Sequence, residues 1–474
     1  MMFLEILLPI FAGIALLLAT GLSARGAKAF ACIVAATTFV LPLALRNDGE
    51  ASVRWLSRPF VSAFHFSDSG ISLWIVLLLA LCTFCALLVA NVPRPRVFIA
   101  LMLLLEGTML GLFTARDVLA FALFWDLMLV PVFFGLAGWG EHRETAWRYM
   151  IYNFAGGLTL LLATAAFGVL GGSTDVIGST HQFAGAWAPW IFVGFAFAFL
   201  VKTPVWPFHT WMPPTYAGTP APMVAVVSAV QSKAGLYGFI VIALPFLRNE
   251  MAAYAHVFIA LALISLLYGA FVALVQTDAK RIVAYSSLSH LGLILLAIFS
   301  FNSVALSGAV VYLIAHGLFS AALFLTLGYV EQRHGTRSLA RLRGIGADNP
   351  RLAGALTIAA LAALGLPGLA GFGGEILILT GVFRAGFFWP ALVALVPIVI
   401  ASAYMLRLLQ GLVNGPPSPE LPTRKDLSWI EGLAIAPLLA ALIYLGVNPS
   451  RIAGTQPSVA PTAGPIAMLE RLQP

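Results

Sequence analysis

Seven ionisable side chains stand inside stretches that are otherwise apolar for a helix length or more. Glu106 lies in VFIALMLLLEGTMLGLF, Asp126 in VLAFALFWDLMLVPVFF and Lys202 in FAFAFLVKTPVWPFHTW. Lys233 lies in VAVVSAVQSKAGLYGFIVI, His290 in AYSSLSHLG, His316 in VYLIAHGLFSAALF and Glu375 in LGLPGLAGFGGEILIL. A charge at bilayer depth costs about 2.5–3.5 kcal/mol on the milder insertion scale. A buried acid and lysine could merely pin two helices together, and a neutral histidine is cheap to bury. A whole series is harder to explain that way, because each member must be desolvated. The chemistry such a series can do is proton relay. Burial favours the neutral lysine and a nearby carboxylate favours the ammonium, so moving or neutralising the acid switches the lysine. One proton crossing a gradient of ~200 mV needs roughly 4.6 kcal/mol. Making and breaking one buried ion pair is on that scale.

Composition says what must position these groups. The 474 residues are 61% hydrophobic and 9% charged, against about 25% charged in soluble domains. Apolar runs of helix length recur throughout, so the chain is a polytopic membrane protein. The net charge of +7 is spread over short loops without a basic cluster, which argues against nucleic-acid binding. Cys82 and Cys85 form a CxxC inside an apolar span, with no further ligands nearby. They read as small buried residues, with no metal and no disulfide framework. The first span lacks a basic start and a small-residue cleavage site, so it is expected to be a retained helix.

Fourteen helices are expected, near 2–20, 28–45, 71–91, 97–113, 117–139, 146–170, 187–210, 219–246, 254–275, 280–299, 303–330, 352–383, 388–411 and 428–447. A tail rich in Pro, Ala and Gly follows from 448 to 474. Loops after odd-numbered helices carry fifteen Lys and Arg, against eight in the even loops and tail. The bias predicts odd loops in the cytoplasm and both termini outside. Arg407 lies near a helix end and is expected to snorkel.

The seventh and twelfth helices contain breakers at their centres. Pro204 and Pro207 follow Lys202, and Gly365, Pro367, Gly368, Gly371, Gly373 and Gly374 precede Glu375. Two broken helices, each with one ionisable residue and five helices apart, suggest inverted repeats. The expected fold class is therefore an all-α polytopic membrane protein with two inverted five-helix repeats, helices 4–8 and 9–13. The segments are 1–95 (helices 1–3), 96–247 and 254–411 (two half-channel repeats), and 412–474 (last helix and tail). Tyr312, His316 and Ser320 fall on one helix face. Ser286 lies a turn from His290, and Ser228 and Ser232 accompany Lys233.

At these residues the chain resembles the M-type (chain-4 type) membrane subunits of respiratory complex I, the NADH-quinone oxidoreductase. The segments are LFWDLMLVPVFF, LVKTPVWPFHTWMP, TPAPMVAVVSAVQSKAGLYG, LVQTDAKRIVAYSSLSHLG, VYLIAHGLFSAALF and LGLPGLAGFGGEILIL, in the family's order from about 118 to 383. The resemblance implies an antiporter-like subunit that moves protons from cytoplasm to outside. It implies that Asp126 modulates Lys202, and that Lys233 is the central connecting lysine. His290 and His316 would lie on the polar axis, and Glu375 would end the outward half-channel. Glu106 joins them on the proton path. Where the family ordinarily has glutamate this chain has Asp126. The shorter side chain is expected to loosen the pair with Lys202 or leave it bridged by water. The loop at 171–185 is also shorter than the family's pattern.

The chain has no nucleotide fingerprint, flavin motif or cluster-ligating cysteine set. Redox chemistry is therefore expected in partner subunits carrying NADH, FMN, iron–sulfur clusters and quinone, with no cofactor in this chain. The implied partners are L-type, N-type and small helical membrane subunits, a hydrophilic redox arm and the lipid bilayer. The implied location is the bacterial inner membrane. Alternatives are a subunit of a multisubunit cation/proton antiporter or of a membrane-bound hydrogenase. A static membrane scaffold with frozen ion pairs is the non-transport reading.

Overall fold

The computed structural model describes residues 2–19, 21–44, 50–175, 183–416 and 425–455. The expected tail beyond 455 and residues 176–182 of the short loop lie outside the described residues. In chain order the first helices are α1 (Met2–Leu18), α2 (Ala24–Ala44), α3 (Ile71–Leu88), α4 (Pro95–Thr114), α5 (Val118–Leu127), α6 (Leu129–Trp139) and α7 (Arg143–Gly171). Next come α8 (Ala188–Lys202), α9 (Met212–Gly218), α10 (Ala221–Ala229), α11 (Ala234–Gly238), α12 (Leu244–Phe246), α13 (Arg248–Ala253) and α14 (Ala255–Val275). The rest are α15 (Ala279–Ile298), α16 (Ser303–His334), α17 (Ile345–Asp348), α18 (Pro350–Ala363), α19 (Ala370–Arg384), α20 (Phe388–Leu412) and α21 (Trp429–Val447).

Each expected helix overlies a helix or a run of short helices. Eleven are long and apolar enough to cross a membrane, and Met2–Leu18, Ala188–Lys202 and Pro350–Ala363 are shorter apolar helices. Polar residues mark their starts. Asp117 caps α5, Asp278 caps α15, Asn302 caps α16, and Ser428 with Glu431 forms a capping box on α21, supplying acceptors to otherwise orphaned N–H groups.

One element between the helices is not helical. Residues 50–67 form an antiparallel hairpin, β1 (Glu50–Leu56) and β2 (Ser62–Ser67). Asp117, at the start of α5, ties it down by accepting from Ser62 Oγ, Ala63 N and Thr174 Oγ1 at 2.9–3.1 Å. His65 bridges the same region, with Nε2 2.7 Å from Glu50 Oε1 and Nδ1 2.7 Å from Asp175 Oδ1.

The chain packs as two units. Unit 1 is Met1–Pro204 with Val230–Tyr254, and unit 2 is Val205–Ala229 with Ala255–Pro474. The chain passes between units at three points, 204/205, 229/230 and 254/255, and the first two are helix breaks beside the lysines. α8 stops at Lys202, and Pro204 follows with φ +24°. α10 stops at Ala229, and Val230 (φ −130°) leads into a tight turn over Gln231–Lys233. The sequence predicts one continuous helix over 219–246, so this second break is a finding.

Two further breaks lie inside the units. In unit 1, α5 gives way to α6 at Met128. Pro131, lacking an N–H, cannot bond the carbonyl four residues back. In unit 2, Leu364–Leu369 separates α18 from α19. Gly365 there has φ +75°, a conformation that a β-carbon disfavours. The Arg407 guanidinium donates to Leu274 O in the last turn of α14.

Candidate functional site

In unit 1 the site is built from three chain breaks. Asp126 is in the last turn of α5, just before the α5–α6 break. Its carboxylate rests on Gly157 of α7. A β-carbon there would stand 1.8 Å from Asp126 Oδ1, so this position must be glycine for the carboxylate to lie where it does. Lys202 is the last residue of α8, and its ammonium lies 5.1 Å from the centre of the Trp125 ring, within cation–π reach. Phe199 and Phe121 pack on Trp125 with ring centroids 5.7 and 5.6 Å away, which keeps this shelf dry.

The expected contact between acid and lysine is not direct. Lys202 Nζ and Asp126 Oδ1 each have no hydrogen-bond partner among the described residues. No ion pair joins the two side chains among those residues. The short aspartate is held on Gly157 and the lysine on Trp125.

Lys233 follows directly. It ends the turn after α10 and lies 3.4 Å from Ser232 Oγ. Its turn packs tightly on that of Lys202: a β-carbon on Gly235 would stand 2.2 Å from both Phe199 O and Thr203 Oγ1. Gln231, two residues before Lys233, donates to Tyr149 Oη at 2.7 Å and to Met128 O at 3.4 Å. The second contact reaches the backbone at the residue where α5 gives way to α6. Glu106 is fully buried in α4, and its Oε1 accepts from Thr38 Oγ1 of α2 at 2.6 Å.

In unit 2 the acid is Glu375, in the second turn of α19. Tyr312 Oη of α16 donates to Glu375 Oε1 at 2.7 Å. The other oxygen, Oε2, would lie 2.2 Å from a β-carbon on Gly365, so the carboxylate sits against the α18–α19 break. His290 of α15 packs edge-on to Tyr312 and His316, with ring centroids 5.7 and 5.5 Å away. Tyr404 Oη of α20 reaches His290 Nε2 at 3.5 Å. Tyr312, His316 and Ser320 are all fully buried along α16, and Ser320 Oγ donates to Ser228 Oγ of α10 at 2.9 Å. The aromatic and hydroxyl groups therefore form one buried polar line from Glu375 past Tyr312 to the two histidines.

So the structure brings Glu106, Asp126, Lys202 and Lys233 into unit 1, and His290, His316 and Glu375 into unit 2. Sequence reading missed Trp125, Tyr149, Gln231 and Tyr404, which are neutral and inconspicuous in an apolar helix. It also missed Glu5, whose signal was plain: a carboxylate inside the first apolar run, MMFLEILLPIF.

The comparisons with known proteins follow this geometry. A family profile described as "NADH:quinone oxidoreductase/Mrp antiporter, TM" matches residues 115–401. NADH-quinone oxidoreductase subunit M of Rhodobacter capsulatus is 32% identical over 458 residues, covering 90% of this chain and 88% of that protein. The subunit M of Mycobacterium tuberculosis is 34% identical over 372 residues, covering 75% of this chain and 67% of that protein. Among solved structures, a chain of respiratory complex I from Thermus thermophilus with bound NADH has a TM-score of 0.87 at 33% identity, covering 96% of this chain and 97% of that one. A chain of the Mrp complex from Dietzia sp. has a TM-score of 0.86 at 20% identity over 96% of both chains, a likeness of fold alone. The matched segment contains six of the seven intramembrane ionisable residues, all but Glu106, and on these grounds the chain belongs to the NADH:quinone oxidoreductase/Mrp antiporter family of membrane subunits.

Proposed function

We propose that this chain is the antiporter-like, proton-translocating membrane subunit of a complex I-type NADH:quinone oxidoreductase. The observation that carries this is the placement of Asp126, Lys202 and Lys233 at helix breaks, in a chain similar to subunit M of Rhodobacter capsulatus and of Mycobacterium tuberculosis. Intramembrane charges of this kind mark proton routes by default.

Lys202 is the switching group. Its ammonium is favoured by the Trp125 face and by Asp126, and its neutral amine is favoured by burial. A change in the distance or charge of Asp126 moves the balance and with it the proton. Lys233 takes the proton next. In unit 2 the relay runs by way of His316 and His290 to Tyr312 and Glu375. The two five-helix repeats, the outside location of both termini and the cytoplasm-to-outside direction are part of this reading. NADH, FMN, iron–sulfur clusters and quinone belong to partner subunits, which include L-type, N-type and small helical subunits and a hydrophilic redox arm.

The test is proton pumping by the purified complex in proteoliposomes with Lys202→Ala and, separately, Asp126→Ala. Loss of pumping in both is the expected result. Unchanged pumping in both removes the channel and leaves the static scaffold. Co-purification in mild detergent separates this reading from a cation/proton antiporter, which would bring no iron–sulfur subunits.

A further inference from the structure

A pair of carboxylates lies in unit 1, on helices that carry neither Lys202 nor Lys233. Glu5 of α1 and Glu106 of α4 are both 0% exposed. The two helices run antiparallel and touch at the residues directly after each glutamate. A β-carbon on Gly107 would stand 3.0 Å from Ile6 O and 2.5 Å from Ile10 Cγ1. At the far end of the same contact, Gly13 packs on Ala100 O and Leu104. Of the four carboxylate oxygens only Glu106 Oε1 has a partner among the described residues, the Thr38 hydroxyl at 2.6 Å. Glu5 Oε1, Glu5 Oε2 and Glu106 Oε2 are buried with no hydrogen-bond partner among the described residues.

The surrounding charges do not neutralise the pair. Arg25 and Lys28 start α2, and Arg94 and Arg96 start α4. Lys28 reaches Leu88 O and Arg96 reaches Ala19 O, both at the opposite end of α1 from Glu5. At Glu5's own end, Phe3 packs edge-on to Phe66 of β2 with centroids 5.6 Å apart. The nearby groups there are Asp68, just after β2, and Arg116, which is bound to Ser69. His65 and Glu50 on the strands are engaged with each other, and Arg54 lies on the exposed strand β1.

Two buried carboxylates without a cationic partner cannot both be ionised at this cost. A sodium ion needs a shell of several oxygens, whereas a proton bound to one carboxyl oxygen removes the charge with no further ligand. We propose that Glu5 and Glu106 form a proton-holding carboxyl pair, separate from Asp126 and Lys202 and approached from the Asp68 end of unit 1. It deepens the proton-translocating reading by adding a loading site on the N-terminal helices.

The test is infrared spectroscopy of the protonated-carboxyl band in the purified complex, titrated with pH and with sodium. The variants are Glu5→Gln, Glu106→Gln and Thr38→Val. Wild type should keep a protonated-carboxyl band at neutral pH, insensitive to sodium. Each glutamine variant should lose its own contribution, and Thr38→Val should shift the band of Glu106. A band unaltered in both glutamine variants overturns the proposal. So does a band that sodium abolishes, since the occupant is then a metal cation. Lys202→Ala separates this idea from the pumping mechanism: it should stop pumping and leave the Glu5–Glu106 band intact.

Discussion

Tyr312→Phe is the sharpest single test of the polar line in unit 2. The phenol donates to Glu375 Oε1 at 2.7 Å, and both side chains are buried. Phenylalanine keeps the ring and its packing on His290 and Phe319, so only the donor is lost. A hydrogen bond to a charged partner is worth about 1.5–3 kcal/mol. At about 1.4 kcal/mol per tenfold, a bond made in one protonation state of Glu375 and not the other sets a rate factor of roughly 10–150. The assay is the initial rate of proton uptake or release by reconstituted complex, read with a pH dye. NADH oxidation is followed in parallel, with and without an uncoupler. Pumping should fall by at least tenfold, and coupled electron transfer should slow with it. Pumping within twofold of wild type would show that the Tyr312–Glu375 bond is static, and the relay through Tyr312 would be abandoned.

Gly157→Ala should disable the Asp126 switch without touching a charged residue. The new methyl would stand 1.8 Å from Asp126 Oδ1, where real contacts stay above 3.0 Å, so the carboxylate must leave its seat; pumping equal to wild type would show that the seat is irrelevant. Glu331→Gln should destabilise unit 2 by about 3 kcal/mol. It leaves the buried Lys280 ammonium, now 2.6 Å from Glu331 Oε2, without its acid. The double variant Lys280→Met/Glu331→Leu should recover much of the lost thermal stability in detergent, and equal losses in single and double variants would contradict the buried-charge account. The hairpin clamp should weaken as pH rises. Burial pushes His65 down, but its hydrogen bonds with Asp175 and Glu50 outweigh that and leave it raised above 6.5. A raised histidine stabilises fully below about 6.5 and loses that contribution as pH climbs through its folded value. Hydrogen exchange of the β1–β2 amides, corrected for its intrinsic pH dependence, should speed up across that window in wild type and show no such step in His65→Gln.

The long helices were legible because apolar runs of fixed length have few other solutions. Asp126, Lys202, Lys233 and Glu375 stood out for the complementary reason, as charges in runs that should contain none. The breaks after Lys202 and before Glu375 carry Pro and Gly in plain view. The break at Val230 does not: AVVSAVQSK contains no breaker, and the turn is held by tertiary contacts of Gln231 with Tyr149 and Met128. The hairpin was hidden because its two short strands give too brief an alternation to separate from loop. Whether Asp126 touches Lys202 could not be read from the sequence, because nothing in it ties the distant Gly157 to residue 126.

The two units hold their buried charges by different means, and helix polarity explains why one centre is a lysine and the other a glutamate. Lys202 is the last residue of α8, where the helix presents its unpaired carbonyl groups and the negative end of its dipole. That end favours an ammonium, and the Trp125 face favours it again. No acid in contact is needed, so the ammonium can lose its proton without first breaking an ion pair. Glu375 lies in the second turn of α19, past the first turn in which the positive dipole end is felt most. Its carboxylate must be steadied by a specific donor, and Tyr312 supplies it. A lysine at 375 would lose that hydrogen-bonding partnership and gain no carbonyl end. Lys202 is thus set by a backbone terminus and an aromatic face, with Asp126 acting from a distance, whereas Glu375 is set by one hydroxyl. A single-atom deletion at Tyr312 therefore removes the one donor that sets its centre, whereas Lys202 keeps its carbonyl end when the Trp125 ring is replaced.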